Sequence, residues 1–166
     1  QANMQIKDNQ SMVFDGIIAT TPTWKDIEFI RKNTKLPLIL KGITHPKYTK
    51  KAIEIGIDGI VVSNHGGRVL DTLVTTMDIL PKIVELVDNK IPIILDGGIT
   101  RGTDILKALA LGASAVMIGK PIMYALATAG ALGVAHSLKI LKDELEIAMA
   151  LTGCKTLRDI NKDILF

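Results

Sequence analysis

The segment Ser63-Asn64-His65-Gly66-Gly67-Arg68 is the part of this chain best equipped for chemistry. His65 and Arg68 stand three residues apart on a glycine-rich turn, a spacing that lets both side chains point into one pocket. Arginine binds a carboxylate through two parallel N–H bonds. Histidine takes up a proton near neutral pH. Together they suit a substrate that carries a carboxylate beside an abstractable hydrogen. An arbitrary His-x-x-Arg is usually a loop histidine and a surface arginine. Here the preceding strand end and the paired glycines favour the functional reading.

Two further segments suit a phosphate. Asp96-Gly97-Gly98-Ile99-Thr100-Arg101-Gly102 is a glycine-rich turn entering a helix, where backbone N–H groups gather at the positive end. Gly119-Lys120-Pro121 ends a strand and opens another helix, with a cation in the turn. Either alone can be a structural turn. As a pair they match the recurrent phosphate site after the last two strands of a barrel. Lys41 closes another apolar run and offers a positive charge on the same face. A lone strand-end lysine is usually surface, but Lys41 is the counterpart of Asp96 in an internal repeat.

That repeat shows which elements carry these residues. Pro37-Leu38-Ile39-Leu40-Lys41-Gly42 matches Pro92-Ile93-Ile94-Leu95-Asp96-Gly97, and Lys51-Ala52 with Gly56 matches Lys107-Ala108 with Gly112. Each copy reads as strand, helix, strand. The runs 36–40, 59–63, 91–95 and 114–118 are short, aliphatic and suited to parallel strands buried on both faces. Helices are predicted at 24–33, from Pro46 to a stop at Gly56, at 77–88 and at 104–111. Thr23 with Asp26 and Thr75 with Asp78 fit capping boxes, and Thr103 is the expected N-cap before 104. Trp24, Ile27 and Ile30 fit the inner face of the first helix.

Alternating strands and helices give an α/β fold with a parallel sheet. An open doubly wound sheet and a closed barrel both satisfy the alternation. Lys41, Ser63-Asn64-His65, Asp96 and Gly119-Lys120 all fall at C-terminal strand ends, the pattern of a TIM-type active face. Four strands make half of an eight-stranded barrel.

Composition narrows the function classes. The chain has 166 residues, 48% of them hydrophobic and 4% aromatic, with a net charge of +3. Its lysines are scattered and not interleaved with aromatics, which argues against a nucleic-acid partner. The single cysteine, Cys154, has no metal-binding spacing around it and reads as structural at a helix end. His45 reads as part of the turn before Pro46, and His136 as a helix residue. Pro121 to Leu138 lacks charge, but its glycines fit two packed helices with a break near 130–133 better than a membrane span.

Taken together, the segments resemble the FMN-dependent α-hydroxy-acid oxidases and dehydrogenases, such as glycolate oxidase, lactate oxidase and flavocytochrome-type lactate dehydrogenase. The resemblance runs from about Trp24 to Ile160. It rests on 36–42, on 63–68 with Leu70-Asp71, on 96–104, on 107–113 and on Met149-Ala150-Leu151-Thr152-Gly153-Cys154. It implies a TIM (β/α)8 barrel, of which residues 21–166 would be the C-terminal half, strands five to eight. Residues 1–20 would be the flexible loop segment that precedes it.

The resemblance also implies roles. His65 would be the catalytic base, and His65 with Arg68 would bind the substrate. Lys41, Ser63, Asp96, Gly97, Gly98, Ile99, Thr100, Gly119 and Lys120 would contact FMN, with Lys41 facing the N1–C2 edge of the flavin. The reaction implied is oxidation of a small (S)-2-hydroxy acid to the 2-oxo acid. The partners implied are that substrate, the N-terminal half of the barrel and, in the intact enzyme, further copies in a homo-oligomer. No nucleic acid, membrane or metal is expected. The family usually has arginine at the positions of Thr100 and Lys120. Lys120 keeps the charge without the planar fork, and Thr100 loses it. The expected location is soluble and intracellular. The family also includes peroxisomal members, although Asp163 to Phe166 is not a Ser-Lys-Leu signal.

Overall fold

The computed structural model describes residues 9–165. The chain divides into two compact units, Gln1–Leu36 and Pro37–Phe166. In the first unit, Ser11 accepts from Phe14 N at 3.1 Å and starts a wide helical turn, Met12–Ile17, followed by a tighter one, Ile18–Thr20. Residues 12–20 of the expected loop are therefore coiled, and residues 1–8 lie outside the described residues. Helix α1 spans Trp24–Asn33. Its predicted capping box is present: the Asp26 carboxylate accepts from Thr23 N at 2.6 Å and from the Thr23 hydroxyl at 2.7 Å. Trp24 and Ile27 are half-buried, while Ile30 is exposed, so the expected inner face is narrower than read.

The second unit holds a four-stranded parallel sheet in chain order: β1 (Ile39–Lys41), β2 (Gly59–Ser63), β3 (Ile93–Asp96) and β4 (Ala115–Met117). A helix follows each strand: α2 (Pro46–Ile55), α3 (Thr76–Val87), α4 (Gly102–Ala110) and α5 (Lys120–Leu151). This is the α/β architecture of half a (β/α)8 barrel. The strands start and stop within a few residues of the predicted runs. Lys41 and Asp96 prove to be the last residues of their strands and not the residues after them.

The register sorts the side chains into two faces. Leu40, Ile60, Val62, Ile93, Leu95 and Val116 share one face. Ile60, Val62 and Leu95 on that face are fully buried, as are Leu80, Ile83 and Val87 of α3, which packs against β2 and β3. Burial of each such side chain contributes roughly 1.5–3 kcal/mol. The other face carries Ile39, Lys41, Val61, Ser63, Ile94, Asp96 and Met117. Ile39 and Met117, on the two edge strands, stand exposed, whereas every residue of β2 is buried.

The cap of α4 differs from the reading. Thr103 does not cap α4; Arg101 is the cap residue, and the Asp104 carboxylate turns back to accept from Thr100 N and Arg101 N, both at 2.9 Å. By taking the N–H groups of Thr100 and Arg101, Asp104 starts the helix ahead of Thr103. At α3, Thr75 accepts from Asp78 N at 3.2 Å, as the spacing predicts. His45 caps α2, its Nδ1 accepting from Lys47 N at 3.1 Å.

Helix α5 is long and apolar enough to cross a membrane by length and composition. It breaks at Ala129 (φ −144°) and Gly130 (φ 58°), in the middle of the uncharged run. Gly133 then lies so near the Ala125 carbonyl that a side chain would collide with it. The second arm carries ion pairs at Lys139–Asp143 (2.7 Å) and Lys142–Glu146 (3.4 Å). It also packs Ala148 with Leu106, Ala110, Cys154 and Ile160. The break expected at 130–133 is therefore present, and Cys154 is a core residue.

Candidate active site

The C-terminal strand ends bring polar side chains together because the register puts them on one face. Ser63 pairs directly with Asp96 across β2 and β3, and Lys41 pairs with Val61, two residues before Ser63. Lys41 Nζ therefore reaches both neighbours, donating to Ser63 Oγ at 2.9 Å and to Asp96 Oδ2 at 2.5 Å. Ser63 Oγ donates to the same Asp96 oxygen at 2.6 Å and accepts from His65 N at 3.1 Å. Burial raises the pKa of Asp96. The hydrogen bonds from Lys41 and Ser63, with the charges of Lys41 and His65, outweigh that and hold it below the ordinary aspartate range.

Above this triad the chain turns sharply. His65 (φ 55°), Gly66 (φ 65°) and Gly67 (φ 73°) are successive left-handed residues. For a residue with a side chain that region costs about 1–2 kcal/mol. The strain falls on His65, the proposed working residue, which fits the tendency of such outliers to gather at functional sites. Asn64 stabilises the turn by accepting from Gly66 N at 3.1 Å. His65 and Arg68 are both exposed at its crest.

The turn after β3 is organised differently. Ile99 is buried and anchors it, and Thr76 Oγ1 donates to Gly97 O at 3.2 Å. The Thr100 hydroxyl donates to Asp104 at 3.2 Å, so this residue faces into its own helix start. Arg101 is held away from the turn by Glu144, with Nε 2.9 Å from Oε1, while Glu144 also accepts from Gly102 N at 2.8 Å. These bonds lower the pKa of Glu144, the bond from Gly102 N most. Lys120, at the start of α5, donates to Gly66 O at 3.2 Å. Gly98 and Gly119 have open space where a Cβ would stand.

Of the residues predicted from sequence, Lys41, Ser63 and Asp96 form one hydrogen-bonded group, joined to His65 through its backbone and to Lys120 by way of the turn. Arg68 stays outside that group, exposed on the same turn. Asp104 and Glu144 were missed. Asp104 had a signal, the cap spacing three residues after Arg101. Glu144 had none, because its partners lie 42 and 43 residues away in sequence.

A flavin mononucleotide fits this donor set. The Lys41 ammonium with Ser63 suits the electron-rich edge of the ring, and the open space at Gly98 and Gly119 leaves room beside the backbone. Lys120 would be the cation available to a phosphate, whereas Thr100 and Arg101 are engaged by Asp104 and Glu144.

The comparisons with known proteins agree. The model of the FMN-dependent dehydrogenase family matches residues 1–166. This chain belongs to that family. It is similar to 2-hydroxyacid oxidase of Dictyostelium discoideum, 52% identical over 144 residues, covering 87% of this chain and 37% of that protein. It is also similar to L-lactate oxidase of Roseobacter sp. (strain GAI101), 45% identical over 160 residues, covering 96% of this chain and 43% of that one. Among solved structures, a single-site mutant of mandelate oxidase with (S)-mandelic acid superposes with a TM-score of 0.81 at 45% identity, over 85% of this chain and 42% of that one. The chain thus spans about two fifths of the length of the family members it matches.

Proposed function

We propose that this chain supplies the base-bearing wall of an FMN-dependent active site that oxidises a small (S)-2-hydroxy acid to the 2-oxo acid. The observation that carries the reading is the strained turn at 65–67, which presents His65 and Arg68 above the Lys41–Ser63–Asp96 group. Arg68 would bind the substrate carboxylate through its planar fork. His65 would take a proton from the substrate, with its backbone fixed by Ser63 Oγ. Lys41 would face the flavin edge. Asp96 would hold Lys41 and Ser63 in place, while Gly97, Gly98, Ile99, Thr100, Gly119 and Lys120 would border the ribityl and phosphate. Bound FMN supplies the two-electron acceptor.

Full activity in this reading needs the N-terminal half of the barrel, which would cover the exposed sheet edges at Ile39 and Met117. Supplied with that half and FMN, the chain is expected to bleach flavin absorbance on addition of L-lactate or glycolate without oxygen. A His65→Ala chain is expected to lose about 10²–10⁴-fold in reduction rate. Reduction at the wild-type rate would overturn the base assignment. The intact enzyme is proposed to be a soluble, intracellular homo-oligomer without nucleic-acid or membrane partners. A similar protein from Arabidopsis thaliana is a peroxisomal (S)-2-hydroxyacid oxidase, which makes the peroxisome the compartment to test.

A second reading, a non-catalytic flavin- or phosphate-binding half barrel, is favoured by one observation. Thr100 and Arg101 are both turned away from the phosphate side by acidic partners. FMN binding without any flavin reduction in the reassembled barrel would select it.

A further inference from the structure

Lys120 stands at the first position of α5. A cation there is opposed by the positive end of the helix dipole, so helix stability does not account for it. Its ammonium instead donates to the carbonyl of Gly66 at 3.2 Å. Its stem follows the same residue closely: a Cβ at Gly66 would lie 3.4 Å from Lys120 Cε. Gly66 is the middle of the three left-handed residues, between His65 and Arg68.

The other bonds of this turn are local. His65 N goes to Ser63 Oγ, Gly66 N to Asn64 Oδ1, Gly67 N to Asn64 O and Arg68 N to His65 O. Among the described residues, Lys120 makes the one hydrogen bond that reaches His65, Gly66 or Gly67 from outside the segment 63–68. It ties the end of β4 to the turn after β2, and it does so at the peptide that sets how His65 and Arg68 diverge.

We infer that Lys120 is a positioning residue for the His65–Arg68 pair, acting through the Gly66 carbonyl in addition to any contact with phosphate. This rests on the reading of His65 and Arg68 as the working pair. Lysine suits the task because its single ammonium sits at the end of a stem that spans the gap. Arginine in its place retains both charge and donors.

The test uses the full chain in three forms: wild type, Lys120→Met, which keeps the stem and loses the donor, and Lys120→Arg. Amide exchange at Gly67 and Arg68, together with the ring resonances of His65, reports the order of the turn. In Lys120→Met those two amides are expected to exchange about two- to five-fold faster, as for loss of one exposed hydrogen bond. The His65 ring signals should shift or broaden, and amides of α3 and α4 should keep their wild-type protection. Lys120→Arg is expected to restore the turn. Wild-type exchange at Gly67 and Arg68 in Lys120→Met, or failure of Lys120→Arg to restore what Lys120→Met loses, would overturn the inference. Neither result depends on flavin. If Lys120→Met leaves the turn unchanged while His65→Ala abolishes flavin reduction, only the role of Lys120 fails. If Lys120→Met loosens the turn while His65→Ala reduces flavin normally, the base assignment fails and the tie remains.

Discussion

The two copies of the internal repeat, β1–α2–β2 and β3–α4–β4, share a sequence pattern and differ in what surrounds them. In the first copy the helix start is local: His45 caps it, and Pro46 sits at its first position. In the second, the start of α4 is held by Asp104 and by Glu144 from a distant helix, and Gly102 lies against the α5 backbone at Glu144 and Leu145. Each helix is followed by a left-handed glycine, Gly56 (φ 82°) or Gly112 (φ 100°). Around Gly56 there is open space, but a Cβ at Gly112 would come within 2.6 Å of Val84 Cγ1. The strand ends differ in charge, Lys41 in one copy and Asp96 in the other, and the two form an ion pair. A repeated pattern thus yields unequal neighbourhoods, because α5 packs on the start of α4 and Val84 of α3 crowds its end at Gly112.

Substitutions can break that contrast, the largest effect coming first. Gly102→Ala is expected to destabilise the chain by about 3 kcal/mol in urea unfolding followed by circular dichroism, since backbone, not a flexible side chain, blocks the added methyl. A loss below 1 kcal/mol for Gly102→Ala would show that α5 yields there. Gly112→Ala should cost about 2–3 kcal/mol and Gly56→Ala about 1 kcal/mol, because both meet left-handed strain and only the first meets Val84. Adding Val84→Ala should recover part of the Gly112→Ala loss, giving a double-mutant cycle that does not sum.

The smallest effect concerns pH. Asp96 titrates below its ordinary value, so its pairing stabilises the fold above about pH 4 and loses that contribution as pH falls toward the lower folded value. The stability difference between wild type and Asp96→Asn should therefore be constant at neutral pH and shrink below about pH 4. A difference that persists unchanged at low pH would mean that the Lys41–Asp96 pair contributes nothing through charge.

Much of the site was legible because its signals are local. Ser63-Asn64-His65-Gly66-Gly67-Arg68 announces a turn by its glycines and chemistry by its histidine and arginine, and the structure places it at the end of β2 as read. The caps at Thr23 and Thr75 depend on spacings of three residues: the box at Thr23 forms, and at Thr75 the hydroxyl caps Asp78 N without the reciprocal backbone bond. The cap of α4 was misread for the same reason that the others succeeded. Thr103 looked adequate by itself, but Asp104 reaches back over a full turn and takes the N–H groups first. The fate of Arg101 was out of reach, because nothing near it in sequence indicates Glu144.

By itself the sequence determined the alternation of strands and helices, the residues at the strand ends and the family to which they belong, because period, caps and motifs act over a few residues. Only the tertiary structure decided which of those residues meet. Lys41 reaches Asp96 because parallel register puts them on one face. Lys120 reaches Gly66 because β4 ends near the turn after β2. Thr100 and Arg101 are held at the start of α4 because two carboxylates, one near and one distant in sequence, accept from them. Such choices depend on the through-space distances that folding creates, and a linear pattern carries no measure of them.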